Sequence, residues 1–338
     1  MSAARPGPQG VTVLCVGLTT LDVVHHLDAP PVRGRKQRSV GGELVAGGPA
    51  ANAAVTAAGL LGSARLLTGV GAGPSSAAAL ADLAAYGVEV LDLAPPDWPL
   101  PVASALVEVH SGERTVVSPG ALGAGGLDLP PGMADEALEP VLAGVAAVLL
   151  DGHHPALAAR VAGVATRARV PVVLDAGSWK DEMAAVLPRV TVAACSADLT
   201  PPGGRRAGDD PDGVATLMHR HGVPTVLVTD GPRPIAWSTL DGGRGRVEVP
   251  AVPAVDTLGA GDVFHGALLA AIAAGVTGTP ARAELAARVA ATRCARLGAR
   301  AWLDEPVILD LAARLRGRID AAGPSGRRGR RGQRSGRR

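Results

Sequence analysis

Between Val145 and Thr229 the chain repeats one unit: a short apolar run, a polar break, then a longer Ala-rich or amphipathic segment. The apolar runs at 147–150, 170–175, 190–194 and 225–229 predict buried strands. The segments between them, 156–168, 179–187 and 211–221, predict helices. This alternation is satisfied by a mostly parallel sheet with helices on both faces. In open sheets of that kind, ligands bind outside the carboxyl ends of the strands.

The flanking regions extend the pattern. Residues 11–18 (VTVLCVGL) read as a buried first strand, ending in Thr19, Thr20 and Asp22. An Ala-rich helix over 49–61 follows Gly47-Gly48, and 66–70 and 75–86 predict a second strand and helix. Residues 102–109 and 114–117 flank a Ser111-Gly112 turn, a hairpin signal. Residues 23–45 read as short strands and turns around a basic cluster that includes Lys36. Two more helices are expected at 260–274 and 281–295, and from about Gly317 the Gly/Ser/Arg composition predicts a disordered tail.

Composition removes several function classes. At 338 residues and 47% hydrophobic the chain can bury a large core. Its longest nearly charge-free apolar runs are about half of what a membrane span needs. Six aromatic residues leave little for a base-stacking surface. The net charge of +2 conceals a tail, 323–338, with seven Arg and no acid, so the remainder stands at −5. Nucleic-acid binding is therefore not expected, except through that tail. Cys15, Cys195 and Cys294 are widely spaced with no CxxC pair, and 1–10 has no signal-peptide pattern; both fit a reducing, cytoplasmic setting.

Three motifs could carry chemistry. Asp256-Thr257-Leu258-Gly259-Ala260-Gly261-Asp262 runs into a helix. The free N–H groups of a helix's first turn attract anions, and glycine lets a phosphate come close. Asp262 beside such an anion makes sense as a base that takes a proton from an attacking hydroxyl; the plainer reading is an acid stabilising a helix dipole. Gly47-Gly48-Pro49-Ala50-Ala51-Asn52 opens another helix, where Asn52 offers a donor and an acceptor to a hydroxylated ligand. The strand ending at Thr229 runs into Asp230-Gly231, a turn that could line a nucleotide phosphate. Gly69–Gly73 (GVGAG) lacks the full dinucleotide-binding spacing, and the histidines at 153, 154, 219 and 221 lack a metal framework.

Taken together, GGPAANAA at Gly47–Ala54 and DTLGAGDVFHGA at Asp256–Ala267 resemble the signatures of the ribokinase-like (PfkB) carbohydrate kinases. With CVGLTTLD and RCARLGARA added, the look is nearest to the branch containing sulfofructose kinase and ketohexokinase. The resemblance spans residues 11–315. It implies an α/β three-layer sandwich with a mostly parallel central sheet, plus a small β-sheet lid drawn from 23–45 and 102–117. It also implies ATP-dependent, Mg²⁺-assisted phosphorylation of a sugar, and a possible homodimer through the lid. By the same resemblance Asp262 is the catalytic base and Gly259, Ala260 and Gly261 form the anion hole. Asp22, Gly47, Gly48 and Asn52 hold the sugar, with Lys36 of the lid as an anion-binding position. Ser196, Thr229 and Gly231 face the nucleotide, and Asp256 and Thr257 begin a loop that in some members binds K⁺.

The chain departs from the family at the NxxE motif, where it reads Ser196-Ala197-Asp198-Leu199. Asp151-Gly152-His153 lacks the Arg that would help hold a sulfonate, so a sulfosugar is not the expected substrate. Two alternatives stand beside the sugar kinase: an adenosine-like nucleoside kinase, and a catalytically weak sugar- or nucleotide-binding regulator.

Overall fold

The computed structural model describes residues 11–120, 126–130 and 132–322. Along the chain run β1 (Thr12–Val16), β2 (Thr20–Leu27), β3 (Gly41–Gly47), α1 (Pro49–Leu61), β4 (Ala64–Thr68), α2 (Pro74–Ala85), β5 (Val88–Asp92), β6 (Val102–Glu108), β7 (Arg114–Val117) and α3 (Glu139–Leu142). Then come β8 (Val145–Leu150), α4 (Pro155–Arg167), β9 (Val172–Ala176), β10 (Val192–Ser196), α5 (Pro211–Arg220), β11 (Thr225–Asp230), β12 (Arg233–Thr239), β13 (Arg244–Val247), α6 (Ala260–Ala273), α7 (Thr279–Cys294) and α8 (Pro306–Ala322).

Nine strands form one sheet in the order β13-β12-β11-β10-β9-β8-β1-β4-β5. Every pairing from β11 through β5 is parallel, and only the β11–β12 and β12–β13 pairings are antiparallel, so β12 alone runs against the rest. Alternate residues of the central strands feed two cores. Val13, Cys15, Leu149 and Val173 pack with α1, α6, α7 and α8. Leu14, Val16, Leu150 and Leu174 pack with α4 and α5 on the other face. Burial on both faces is why these strands read as unbroken apolar runs.

A second, four-stranded sheet has the order β3-β2-β6-β7. Val24, Val45, Ala105 and Val107 form its inner face. The chain passes into this sheet directly after β1, so Thr20 and Asp22 belong to β2 rather than to the end of the first strand. Thr19 is fully buried and its hydroxyl meets that of Thr68 at 2.9 Å, a structural contact.

The structure corrects some of these readings and adds a strand. Residues 179–187 form no α-helix but two 3-10 turns, Asp181–Ala185 and Leu187–Arg189; Pro188 has no N–H to continue a helix. The strand expected at 66–70 is β4, two residues earlier. β12 was hidden by Pro232 and Pro234, and its register shifts between Val228 and Asp230, where those prolines fall. α8 runs through Ala322, six residues into the stretch read as tail. Ile319 packs on the core and Arg318 donates to the Gly275 carbonyl at 3.0 Å, which holds that last turn. The Arg-rich stretch 323–338 lies outside the described residues.

Candidate active site

Two helices that begin far apart in sequence create the centre of the site. α1 is buried almost all round and lies against α6. The contact is close because Gly266 has no side chain: a Cβ there would stand 2.4 Å from the Ala53 carbonyl oxygen. This approach brings Asn52 to Asp262, 210 residues away, where its Nδ2 donates to Asp262 Oδ2 at 2.8 Å.

Asp262 lies in the first turn of α6. The helix is entered through Gly259, which caps it at φ 70°, the left-handed region that favours glycine. The Ala260 N–H turns back to the Thr257 carbonyl at 3.3 Å. Gly261 is exposed, and a Cβ built on it would meet nothing within 4 Å, so the turn is open. Burial, reinforced by the Asp175 carboxylate, outweighs the Asn52 hydrogen bond and pushes Asp262 up to about 6.

Beside this pair stands Asp22 of β2. Its Oδ1 accepts from the Thr20 hydroxyl at 2.6 Å. Burial pushes its carboxyl up, against the Thr20 hydrogen bond and the Arg300 charge. Gly47 makes room for it: a Cβ at 47 would fall 2.1 Å from Asp22 Oδ2. Gly48 caps α1. Asp22, Asn52, Gly259 and Arg300 line a narrow cavity of about 20 Å³.

The carboxyl ends of the parallel strands supply the floor. Asp151 follows β8, fully desolvated, and accepts from the N–H groups of Leu18 at 2.8 Å, His153 at 2.9 Å and Ala50 at 3.1 Å. It thereby ties the exit of β1 to the first turn of α1. Burial opposes its ionisation, but these hydrogen bonds and the His153 charge hold it down at about 2. Asp175, the penultimate residue of β9, faces His265 of α6, with Oδ2 to Nδ1 at 3.1 Å. His265 Nε2 reaches the Ala194 carbonyl at 3.2 Å, anchoring α6 to β10.

Of the residues expected to face a nucleotide, Ser196 ends β10 directly opposite Thr229 of β11. The Thr229 hydroxyl donates to the Cys195 carbonyl at 3.3 Å, and Gly231 turns the chain at φ 56°. Lys36 is exposed in the β2–β3 connection, and no hydrogen bond or ion pair joins it to the described residues of the site. The GVGAG stretch is closed off. Asp92 ends strand β5, but its carboxylate accepts from the Val70, Gly71 and Ala94 N–H groups and is unavailable to a ribose. His154 and His219 are satisfied internally, by the Leu127 N–H and by the Val223 carbonyl and Ser238 hydroxyl respectively.

Sequence reasoning missed Asp151, Asp175, His265 and Arg300 as organisers of the site. The available signal for the two acids was an Asp at the end of a wholly apolar strand, where a buried charge needs partners.

A profile of the pfkB family of carbohydrate kinases matches residues 12–306. The chain belongs to that family. It is accordingly a phosphotransferase with a ribokinase-like fold. Among solved structures, a candidate ribokinase from Agrobacterium tumefaciens is 25% identical, with a TM-score of 0.75 over 92% of this chain and 99% of that one. Arabidopsis thaliana ribokinase, solved with ribose and ATP, is 23% identical, with a TM-score of 0.70 over 90% and 98%. A 2-dehydro-3-deoxygluconokinase from Thermotoga maritima is 19% identical, with a TM-score of 0.68 over 91% and 100%.

The monovalent-cation expectation for this PfkB kinase does not fit its residues. Asp256 is 1% exposed and its carboxylate is already filled: Arg293 Nη2 donates at 2.8 Å, the Leu258 N–H at 2.9 Å and the Gly298 N–H at 3.2 Å. A monovalent cation on that carboxylate would face a fixed guanidinium. Thr257 is engaged as well, donating to the Gly112 carbonyl at 2.7 Å and accepting from Arg114 at 2.9 Å. At the NxxE position Leu199 is fully buried, and Asp198 pairs with Arg206 at 2.8 Å. The acid of that motif is therefore replaced by a buried apolar side chain, and the neighbouring Asp198 is engaged in a surface ion pair.

Proposed function

We propose that this chain is an ATP-dependent sugar kinase, with Asp262 as general base and the 259–261 backbone as anion hole. The observation that carries the reading is the pairing of Asp262 with Asn52 at an open, glycine-entered helix N-terminus. Asp262 takes the proton of a sugar hydroxyl held by Asp22, Gly47, Gly48 and Asn52. The oxygen attacks the γ-phosphorus as the bond to the β-γ bridging oxygen breaks, and ADP leaves with that electron pair. The first-turn N–H groups of α6 offset charge on the transferred group. Ser196, Thr229 and Gly231 line the nucleotide side, at the ends of β10 and β11. The test is ADP release from ATP over a panel of pentoses, hexoses, ketoses and aldonic acids, with adenosine included. Release with a sugar supports the reading, and release with adenosine alone replaces it by a nucleoside kinase.

The buried Leu199 in place of an acid favours a second reading, a catalytically weak sugar- or nucleotide-binding regulator. Calorimetric binding of a sugar with no ADP release under any acceptor would select it.

The small sheet supports a homodimer. Its outer face carries Leu44 at 56%, Val102 at 43% and Val117 at 68% exposure, an apolar surface that a second copy would cover. Among the described residues no helix is long and apolar enough to cross a membrane. The three cysteines are free thiols, which supports a cytoplasmic setting.

A further inference from the structure

Arg300 lies in the segment after α7 and is 9% exposed. Its Nη1 donates to Asn52 Oδ1 at 3.1 Å. Its Nη2 donates to the Ala46 carbonyl at 2.6 Å and to Asp82 Oδ2 at 3.0 Å. Asp82 Oδ2 also accepts from the Ala46 N–H at 3.0 Å, so both polar groups of Ala46 are pinned. The guanidinium stands 5.8 Å from the centre of the Tyr86 ring. One side chain thus joins α2, the end of β3 and α1.

An Asn amide presents an acceptor on one side and a donor on the other, whereas a guanidinium only donates. Facing Arg300, Asn52 must turn its oxygen to the guanidinium, which leaves Nδ2 for Asp262. The flipped amide would set NH₂ against guanidinium and carbonyl against carboxylate, two repulsive contacts. We propose that Arg300 is a positioning residue: it locks the Asn52 amide with its donor edge on Asp262 and fixes that amide relative to the entry of the small sheet. The catalytic relevance rests on reading Asp262 as the base, while the geometric claim does not.

Among the described residues no other hydrogen bond to the Asp262 side chain stands beside that from Asn52. Asp175 from β9 and Asp151 from β8 face it as like charges, and His265 of its own helix is committed to Asp175 and the Ala194 carbonyl. Around Arg300 stand Asp82, Asp22, Asn52 and Tyr86. Loss of the lock therefore leaves Asp262 harder to ionise.

The test is a double-mutant cycle on the apo protein. Aspartate carboxyl carbons are labelled with ¹³C, the Asp262 signal is identified by its loss in Asp262→Asn, and its titration midpoint is followed by NMR. Arg300→Lys keeps the charge near Ala46 and Asp82 but gives up the fork that reaches Asn52. It should raise the midpoint by about one pH unit, the equivalent of one hydrogen bond to a charged group. Asn52→Ala should raise it similarly, and the double variant should match Asn52→Ala alone. An unmoved midpoint in Arg300→Lys, or shifts that add in full, would overturn the proposal. If Arg300→Lys does not fold, Asp82→Asn, which removes the charged outer anchor, is read in its place with the same expected direction and the same overturning result. On whichever sugar wild type accepts, Arg300→Lys should lower kcat about tenfold, with KM for ATP within about twofold. Absence of any sugar-dependent ADP release in wild type would defeat the kinase reading while leaving the titration to decide the role of Arg300.

Discussion

A buried carboxylate facing a second carboxylate carries an energetic cost: burial first, and then Asp175, push Asp262 up to about 6. Two consequences follow at this scale. Because the base form is needed, kcat/KM should fall about tenfold per pH unit below pH 6; a flat profile down to pH 5 would contradict the assignment. The folded state also binds this proton more tightly than the unfolded chain, whose carboxyl ionises near the ordinary 3.8. Stability from this group is therefore greatest at low pH and is lost as pH rises from about 4 through 6. Asp262→Asn should accordingly raise Tm at pH 8, with the gain vanishing toward pH 4, and equal Tm values at pH 8 would count against it. Asp22→Asn should raise the sugar KM about 10- to 100-fold, the value of one hydrogen bond to a charged group. KM for ATP should be unchanged by it.

At the scale of elements, the site depends on how closely α1 and α6 approach. Gly266→Ala places a methyl against the Ala53 backbone, where no side chain can yield. Overpacking of that kind costs about 1–3 kcal/mol, and spreading the helices should separate Asn52 from Asp262. Thermal unfolding and sugar turnover should both fall, and unaltered turnover would show that the close approach is not needed. The same contact marks what could be read from sequence. α1 was legible to the residue, because Gly48, Pro49 and Gly62 punctuate an Ala-rich run. The central strands were legible because both their faces are buried. β12 was obscured by prolines that a register shift accommodates, and the helix read at 179–187 lacked the length to form before Pro188. The partners of Asp262 could be placed only by family resemblance, since the 210-residue span to Asn52 leaves no local trace. Arg300 and the Asp175–His265 pair left none either, because their roles exist only once four elements converge.

Across the whole molecule, the parallel sheet gathers Asp151, Asp175 and Ser196 at the carboxyl ends of its central strands, and Asp22 comes from the small sheet. The outer face of the small sheet is where the account extends beyond one chain. Leu44 and Val117 stand at the two ends of one row across that face, on its two edge strands, as Val23 pairs with Leu44 and with Ser104, and Ser104 with Val117. Light scattering should give the mass of a dimer for wild type and of a monomer for Leu44→Asp, and a monomeric wild type would remove the proposed assembly.

The most direct test remains the fate of a single oxygen atom's charge. With ATP and the best-accepted sugar of the panel, Asp262→Asn should fold as wild type does and bind ATP with little change, yet turn over at least about 10²-fold more slowly. A variant that phosphorylates that sugar at the wild-type rate would contradict the account.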